Sequence, residues 1–343
     1  MKKLCIVNVM LSRGLGGIEQ AVIDYSEALG YAGHKVYAVV HPDAAIIPQL
    51  QAKKIAYEIL PNLGAWDVFA ICKLRCLLKK LETDVAIAHG NRALSLLRYS
   101  ARKRRLVAVM HNYKIKCKGL KAVFCPTHDL IRYTESQGVA SQNIHHVPNL
   151  VRVSEDFITR KRHDPPIIGA MGRFVAKKGF DIFIESLVFL KQRNVIFKAV
   201  LAGGGEEEEK LKKLASDRGL SDILSFPGWV ENKAEFFGSI DIFCLPSHHE
   251  PFGIVLLEAM AQSLPVISTD SEGPSEIISN GKDGILVTKN DMLALTDGLH
   301  ELLSDPIEAQ LLAINAFDTV KNNYDLPVIS SKLDLALKGL EGL

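Results

Sequence analysis

Glu250 and Glu258 bracket the stretch EPFGIVLLE, and the second stands inside a run of Ile, Val, Leu, Ala and Met that continues to Ala261. A carboxylate in such surroundings is costly unless it is paired, so Glu258 must hold something. A pair of ribose hydroxyls suits it, because they donate two hydrogen bonds without adding charge. A neighbouring arginine or a backbone group suits it equally well. The loop HHEPFG leads into a helix predicted to begin near Phe252 or Gly253. The first amides of that helix, at Phe252, Gly253 and Ile254, lack intrahelical partners and offer an anion site beside Glu250.

The segment GRFVAKKGFD supplies the matching cations. Arg173 is expected at the carboxyl end of a strand and Lys178 just before the next helix. A guanidinium fork and an ammonium point charge at the mouth of a parallel sheet suit a diphosphate. Lys177 competes with Lys178 for the role, and a solvated lysine pair is the plain alternative. FPGWV ends another strand, so its glycine, Gly228, could admit a nucleotide against the backbone or simply form a tight turn.

Near the amino terminus, SRGLGGIEQ is tempting as a dinucleotide fingerprint, but Glu19 stands where the third glycine belongs. What remains at Gly16 and Gly17 is a turn whose backbone can approach a ligand closely, or an ordinary strand-to-helix turn. His111 in VAVMHNYK and His89 in AIAHGN each end a strand. A lone histidine is more often a structural hydrogen bonder than a catalyst. The adjacent histidines of SHHE face opposite ways on an extended chain, and no Asp-x-Asp occurs, so no metal ligand set is predicted.

Parallel sheets are expected to position these groups. Strands are predicted at KLCIVNVM, HKVYAVV, DVAIAHG, RLVAVMH, AVFCPT and IHHVPN, then at PPIIGAMG, FKAVLAGGG, ILSFPG, IDIFCLPS, LPVIST and GILVT. Helical patterns such as GIEQAVIDYSEALGYAG and FDIFIESLVFLKQR alternate with them, which gives two doubly wound α/β domains. The predicted domains are residues 1–150 and 151–325, with a helix over about 326–343 packing back on the first. RVSEDFITRKRHDPP, Arg152 to Pro166, reads as the linker.

At 343 residues the chain is long for one core, and 48% apolar with 23% charged residues is the balance of a soluble globular protein. No apolar run reaches the ~18–20 residues of a membrane span. Asn8 interrupts the first apolar stretch and no cleavage site follows, so this reads as a strand rather than a signal peptide. Six unpaired-looking cysteines point to a reduced, cytoplasmic protein. The net charge of +2 divides into +11 for residues 1–150 and −9 for the remainder.

The cations of the first half cluster at Lys73, Arg75, Lys79 and Lys80, at Arg98 and Arg102 to Arg105, and at Lys114, Lys116, Lys118 and Lys121. With Trp66, Phe69, Ile71, Leu74, Leu77 and Leu78, and with Leu94, Leu96 and Leu97, the first two clusters read as basic amphipathic helices. They would either lie on an anionic membrane surface or pack on the first sheet with their cations in water. Nucleic acid fits less well, since aromatic residues do not interleave with the charges.

Together these segments resemble the family 4 retaining glycosyltransferases of GT-B fold. EPFGIVLLEAMAQSLPVISTD with GPSEIISNGKDGILV matches the family signature, GRFVAKKG its Arg and Lys phosphate pair, and GGIEQAV its glycine loop. The resemblance implies that Glu258 binds the nucleotide ribose and that Glu250 lies against the donor sugar. Arg173 and Lys178 would neutralise the departing diphosphate, and Gly16 and Gly17 would close over it. Gly228, Trp229 and Val230 would line the base, and His111 would meet the transferred sugar. It further implies metal-independent transfer of a hexose-type sugar from a nucleoside diphosphate sugar, a UDP-sugar favoured, which is a co-substrate rather than a cofactor. The acceptor would be a cell-envelope glycan or glycolipid such as lipopolysaccharide core, reached at the inner face of the cytoplasmic membrane. Two departures stand out: Leu150 replaces the usual hinge glycine, and GGGEEEE replaces a Gly-Asp-Gly-Pro type turn.

Other chemistries use similar parts. A glycoside hydrolase needs two carboxylates flanking one bond, whereas Glu250 and Glu258 are offset along one helix. A sugar phosphorylase or nucleotide-sugar epimerase would share the fold, and a catalytically inactive glycan-binding homologue should have lost part of the charged set.

Overall fold

The apolar runs become two parallel sheets in the computed structural model, which describes residues 3–14, 16–64, 66–101 and 104–340. The first sheet comprises β1 (Cys5–Met10), β2 (Lys35–Val40), β3 (Tyr57–Ile59), β4 (Val85–His89), β5 (Arg105–Val109), β6 (Val123–Cys125) and β7 (Ile144–His146). The second comprises β8 (Ile167–Arg173), β9 (Lys198–Gly204), β10 (Leu224–Gly228), β11 (Ile242–Leu245), β12 (Val266–Thr269) and β13 (Ile285–Val287). Contacts divide the chain into unit 1, Met1–Leu150 with Leu326–Leu343, and unit 2, Val151–Asp325.

In unit 1 the strand order is β3-β2-β1-β4-β5-β6-β7, so the winding reverses between β1 and β4. Every residue of β1 is buried, as expected of a central parallel strand covered on both faces. The helix Gly17–Tyr31 returns the chain to β2 and buries Val22, Tyr25, Ala28 and Leu29. The helix Leu326–Lys338 adds Ile329, Leu333 and Leu337 to the same core as Leu29, Ile87 and Phe124. The hydroxyl of Ser330 donates to the Ala28 carbonyl at 2.7 Å, fixing that helix against its neighbour.

In unit 2 the order is β10-β9-β8-β11-β12-β13, with the reversal between β8 and β11. Ile168, Phe183, Leu187, Leu201 and Leu299 belong to one core cluster, and Phe243, Leu256, Met260 and Val266 to another.

Three differences from the sequence reading have physical causes. The edge strand β3 is absent from the predicted strands, because three half-buried residues leave no apolar run to read. Arg152 to Pro166 is not a free linker but is laced onto unit 2. There the Ile158 amide donates to Ser263 Oγ at 2.9 Å, Arg160 to the Phe237 carbonyl at 3.0 Å, and Arg162 to the Leu303 carbonyl at 2.9 Å. In the two basic helices, Val68–Lys80 and Asn91–Ser100, the residues Leu74, Leu78, Leu94, Leu96 and Leu97 pack into the unit 1 core. Some of the cations there are structural as well: Arg75 donates to the Tyr99 carbonyl at 2.8 Å, and Arg98 to those of Lys116 and Lys118, each at 3.0 Å. Arg102 and Lys103 lie outside the described residues. No helix among the described residues is long and apolar enough to cross a membrane.

Candidate active site

Parallel strands carry their following loops to one edge of the sheet, and the reversal between two strands leaves a crevice there. In unit 2 the segments meeting at that crevice are those after β8 and β11. Arg173 is the last residue of β8, exposed, with no hydrogen-bond or ion-pair partner for its side chain among the described residues. The turn Ala176–Lys178 follows, then Gly179 with φ 64°, which caps the helix Phe180–Gln192. A Cβ on Gly179 would lie 2.1 Å from the Pro246 carbonyl oxygen, so only glycine allows the two loops to touch there. The amides of His248 and His249 both donate to the Lys177 carbonyl, at 3.0 and 3.2 Å.

This stitching sets the charged groups. The Lys178 ammonium donates to the Glu250 carboxylate, with both side chains largely buried at 16% and 12% exposure. The Glu250 amide donates to the Glu272 carboxylate at 3.1 Å, and His249 Nδ1 lies 2.9 Å from the same carboxylate. The helix itself is Ile254–Ala261, capped by Gly253 at φ 99°, so Phe252 and Gly253 precede it rather than open it. Among the described residues Glu258 is held neither by an arginine nor by backbone: Lys233 donates to both of its oxygens, at 2.6 and 2.8 Å. Gly228 ends β10 at φ 81°, with Trp229 exposed and Val230 half-buried against the core of unit 2. Arg173, Lys178, Lys233, Glu250 and Glu258 together carry a balance of +1. A diphosphate could therefore enter without leaving a buried cation unpaired beforehand.

In unit 1, Gly16 caps the helix Gly17–Tyr31 in extended backbone, which any residue could adopt. His111 lies just beyond β5. Its Nε2 is 3.0 Å from His89 Nδ1, and His89 Nε2 is 3.3 Å from Asn8 Oδ1. Burial holds the His111 imidazole down at about 4, and burial with the neighbouring His111 holds His89 well below the ordinary value. Both rings are neutral at neutral pH.

Sequence reasoning missed Lys233, Glu272 and Gly179 as parts of the site. Asn8 was visible as the polar residue inside an apolar strand, yet its partner lies 81 residues away.

Comparison with known proteins fixes the family. The Glycosyltransferase Family 4 model matches residues 15–155 and the Glycosyl transferases group 1 model residues 152–319. The chain belongs to the family 4 glycosyltransferases. LpsE of Rhizobium meliloti (strain 1021), a lipopolysaccharide core biosynthesis glycosyltransferase, is 26% identical over 332 residues, 92% of this chain and 94% of that one. A glycosyltransferase of Rickettsia africae has TM-score 0.85 at 20% identity, covering 100% of both chains. HepE of Anabaena, solved with UDP, has TM-score 0.83 at 19% identity, covering 99% of this glycosyltransferase and 100% of its own chain. These likenesses establish the GT-B fold.

Proposed function

We propose that this glycosyltransferase moves a hexose-type sugar from a nucleoside diphosphate sugar, a UDP-sugar by preference, to a cell-envelope glycan or glycolipid, with retention and without a metal. The observation that carries this reading is the unit 2 crevice, where Arg173 ends β8 exposed and Lys178, in the turn that follows, pairs with Glu250 from the loop after β11. As the acceptor oxygen bonds to the anomeric carbon, the bond to the diphosphate breaks on the same face. The proton of the acceptor hydroxyl leaves with the phosphate oxygen. Arg173, Lys178 and the amides at Gly253 and Ile254 would take up the charge that develops there, the principal electrostatic contribution. Glu250 would then be released from Lys178 to meet the sugar, while Glu258 would accept from the ribose hydroxyls and Trp229 would face the base. Gly16 and Gly17 would cover the diphosphate, and His111 would meet the transferred sugar. The UDP complex of HepE supports the donor class, and the name of LpsE supports lipopolysaccharide core as an acceptor.

A thermal-shift panel of UDP, GDP, ADP and CMP sugars tests the donor, since a ligand at about a hundredfold its Kd adds ~2.7 kcal/mol. Product NMR in the presence of EDTA then reads anomeric configuration and metal need together. An inverted product, or loss of turnover with EDTA, would overturn those parts of the reading.

Peripheral contact with an anionic membrane has its own observation. Leu63, Trp66, Val68 and Phe69 are 97%, 74%, 67% and 89% exposed at the start of a helix that also carries Lys73, Lys79 and Lys80. Trp66 packs on Tyr99 with ring centroids 5.6 Å apart, so the aromatic surface continues onto the next helix. Apolar rings flanked by lysines suit an interface with anionic lipid. Trp66→Ala with Phe69→Ala should abolish co-sedimentation with anionic vesicles while leaving transfer to a soluble acceptor intact. Unchanged co-sedimentation would remove this patch from the reading.

A further inference from the structure

Asn8, in the middle of β1, is fully buried at 0% exposure, and His89, ending β4, is buried at 2%. They belong to a chain of hydrogen bonds with an end that admits only one direction. The Val22 carbonyl can only accept, so the Ser26 hydroxyl donates to it, at 2.7 Å. That spends the single Ser26 proton, and Ser26 Oγ must accept from Asn8 Nδ2, at 3.0 Å. The amide of Asn8 is thereby oriented, with Oδ1 turned to accept from His89 Nε2–H, at 3.3 Å. A neutral His89 protonated on Nε2 has a bare Nδ1, which can only accept, so His111 Nε2–H donates to it at 3.0 Å. The Tyr25 ring meets His89 edge-on at 5.1 Å and 90°, holding the imidazole plane. His111 Nδ1 has no hydrogen-bond partner among the described residues.

We infer that Asn8 and His89 are positioning residues: they hold His111 as the Nε2–H tautomer, so that it offers substrate a lone pair at Nδ1 and never an N–H. A group met by His111 must then donate a hydrogen bond, as a sugar or acceptor hydroxyl does, and an acceptor-only substituent is disfavoured there. This last step rests on the proposed place of His111 beside the transferred sugar; the relay itself does not. Fixing a histidine tautomer through its second nitrogen is a general means of orienting an imidazole for work at the first.

Long-range 1H–15N correlation spectra of the full-length protein at neutral pH, assigned with His89→Gln and His111→Gln, read the tautomers directly and need no substrate. The expected result is Nε2–H with bare Nδ1 for both rings. A His111 that is Nδ1–H, or averaged between tautomers, in the wild-type protein would overturn the inference. His89→Leu should remove the single-tautomer signature of His111 and lower kcat by about tenfold or more, with nucleotide affinity unchanged. His89→Gln should restore both, because its carboxamide presents an acceptor to His111 and a donor to Asn8. If His89→Leu leaves the His111 spectrum as in the wild type, the relay is not what holds it. If the spectrum changes and kcat does not, the relay stands and the place of His111 beside the sugar falls.

Discussion

Where the winding reverses between β1 and β4 in unit 1, Asn8, His89 and His111 form a chain of neutral groups whose order is dictated by a backbone carbonyl. Where β8 and β11 part in unit 2, the groups are ions: Lys178 on Glu250, Lys233 on Glu258, and an exposed Arg173. The two sheets share a topology, yet the same geometrical opportunity is filled with opposite chemistry. Ionic pairs can exchange partners when a charged ligand arrives, whereas a neutral relay can only accept or donate in the sense already built in. On the proposed function, the first kind of chemistry would meet a leaving diphosphate and the second hydroxyl groups.

The strongest way to break this contrast is to remove a charge from unit 2. Arg173→Ala and Lys178→Ala should each lower turnover by about a hundredfold or more while changing donor affinity much less, because the charge they meet grows as the bond breaks. Steady-state kinetics beside calorimetry separates the two; wild-type turnover in either variant would take that residue out of the leaving-group role. A smaller effect is expected one helix along. Glu258→Gln should weaken nucleotide binding by roughly 1–3 kcal/mol with the fold intact, since Gln can accept only one of the ribose hydrogen bonds and mismatches Lys233. Unchanged affinity in a titration would end the ribose assignment.

Unit 1 is distinguished by pH. The two histidines titrate near 6.5 in an unfolded chain, but His111 at about 4, and His89 well below 6.5, in the folded one. Between 6.5 and about 4 the unfolded state binds more protons, so stability is whole above 6.5 and drains away as pH falls through that window. The slope is at most ~1.4 kcal/mol per pH unit for each such group. Urea unfolding at pH 7.5 and pH 5 should show the loss, and His89→Gln combined with His111→Gln should flatten it. A wild-type profile that is flat from pH 7.5 to 5 would contradict it. The smallest change is expected for Lys233→Met. Its half-exposed ammonium should contribute less than about 1 kcal/mol to stability. A tenfold loss of nucleotide affinity in this variant would instead make Lys233 itself a ligand-binding group.

Buried parallel strands write themselves into a sequence as apolar runs, which is why β8, β9, β11 and β12 of unit 2 are legible while the half-buried, three-residue β3 is not. Glu258 announced itself as a charge in an apolar helix, but nothing local named Lys233, which is 25 residues away. The Lys178–Glu250 pair spans 72 residues and depends on the close approach that Gly179 allows. Periodicity located the basic helices, and the fold then separated their apolar residues into Leu74 and Leu78, which are core, and Trp66 and Phe69, which are surface.

The chain passes from unit 1 to unit 2 after Leu150 and returns after Asp325. The two passages are pinned side by side: Val151 and Asp325 form a parallel bridge, the Val151 amide donates to the Tyr324 carbonyl at 3.0 Å, and the Val153 amide to Asp325 Oδ1 at 3.2 Å. Along the chain unit 2 lies inside unit 1 rather than after it, because the final helix completes the core of unit 1. Ile329, Leu333 and Leu337 are each fully buried there, and each side chain is worth roughly 1.5–3 kcal/mol. A chimera that exchanges unit 2 with a relative should therefore be cut at both passages, replacing residues 151–325 as a cassette. A single crossover near residue 150 would give the unit 1 sheet a foreign last helix, and the recombinant would inherit a mismatched core.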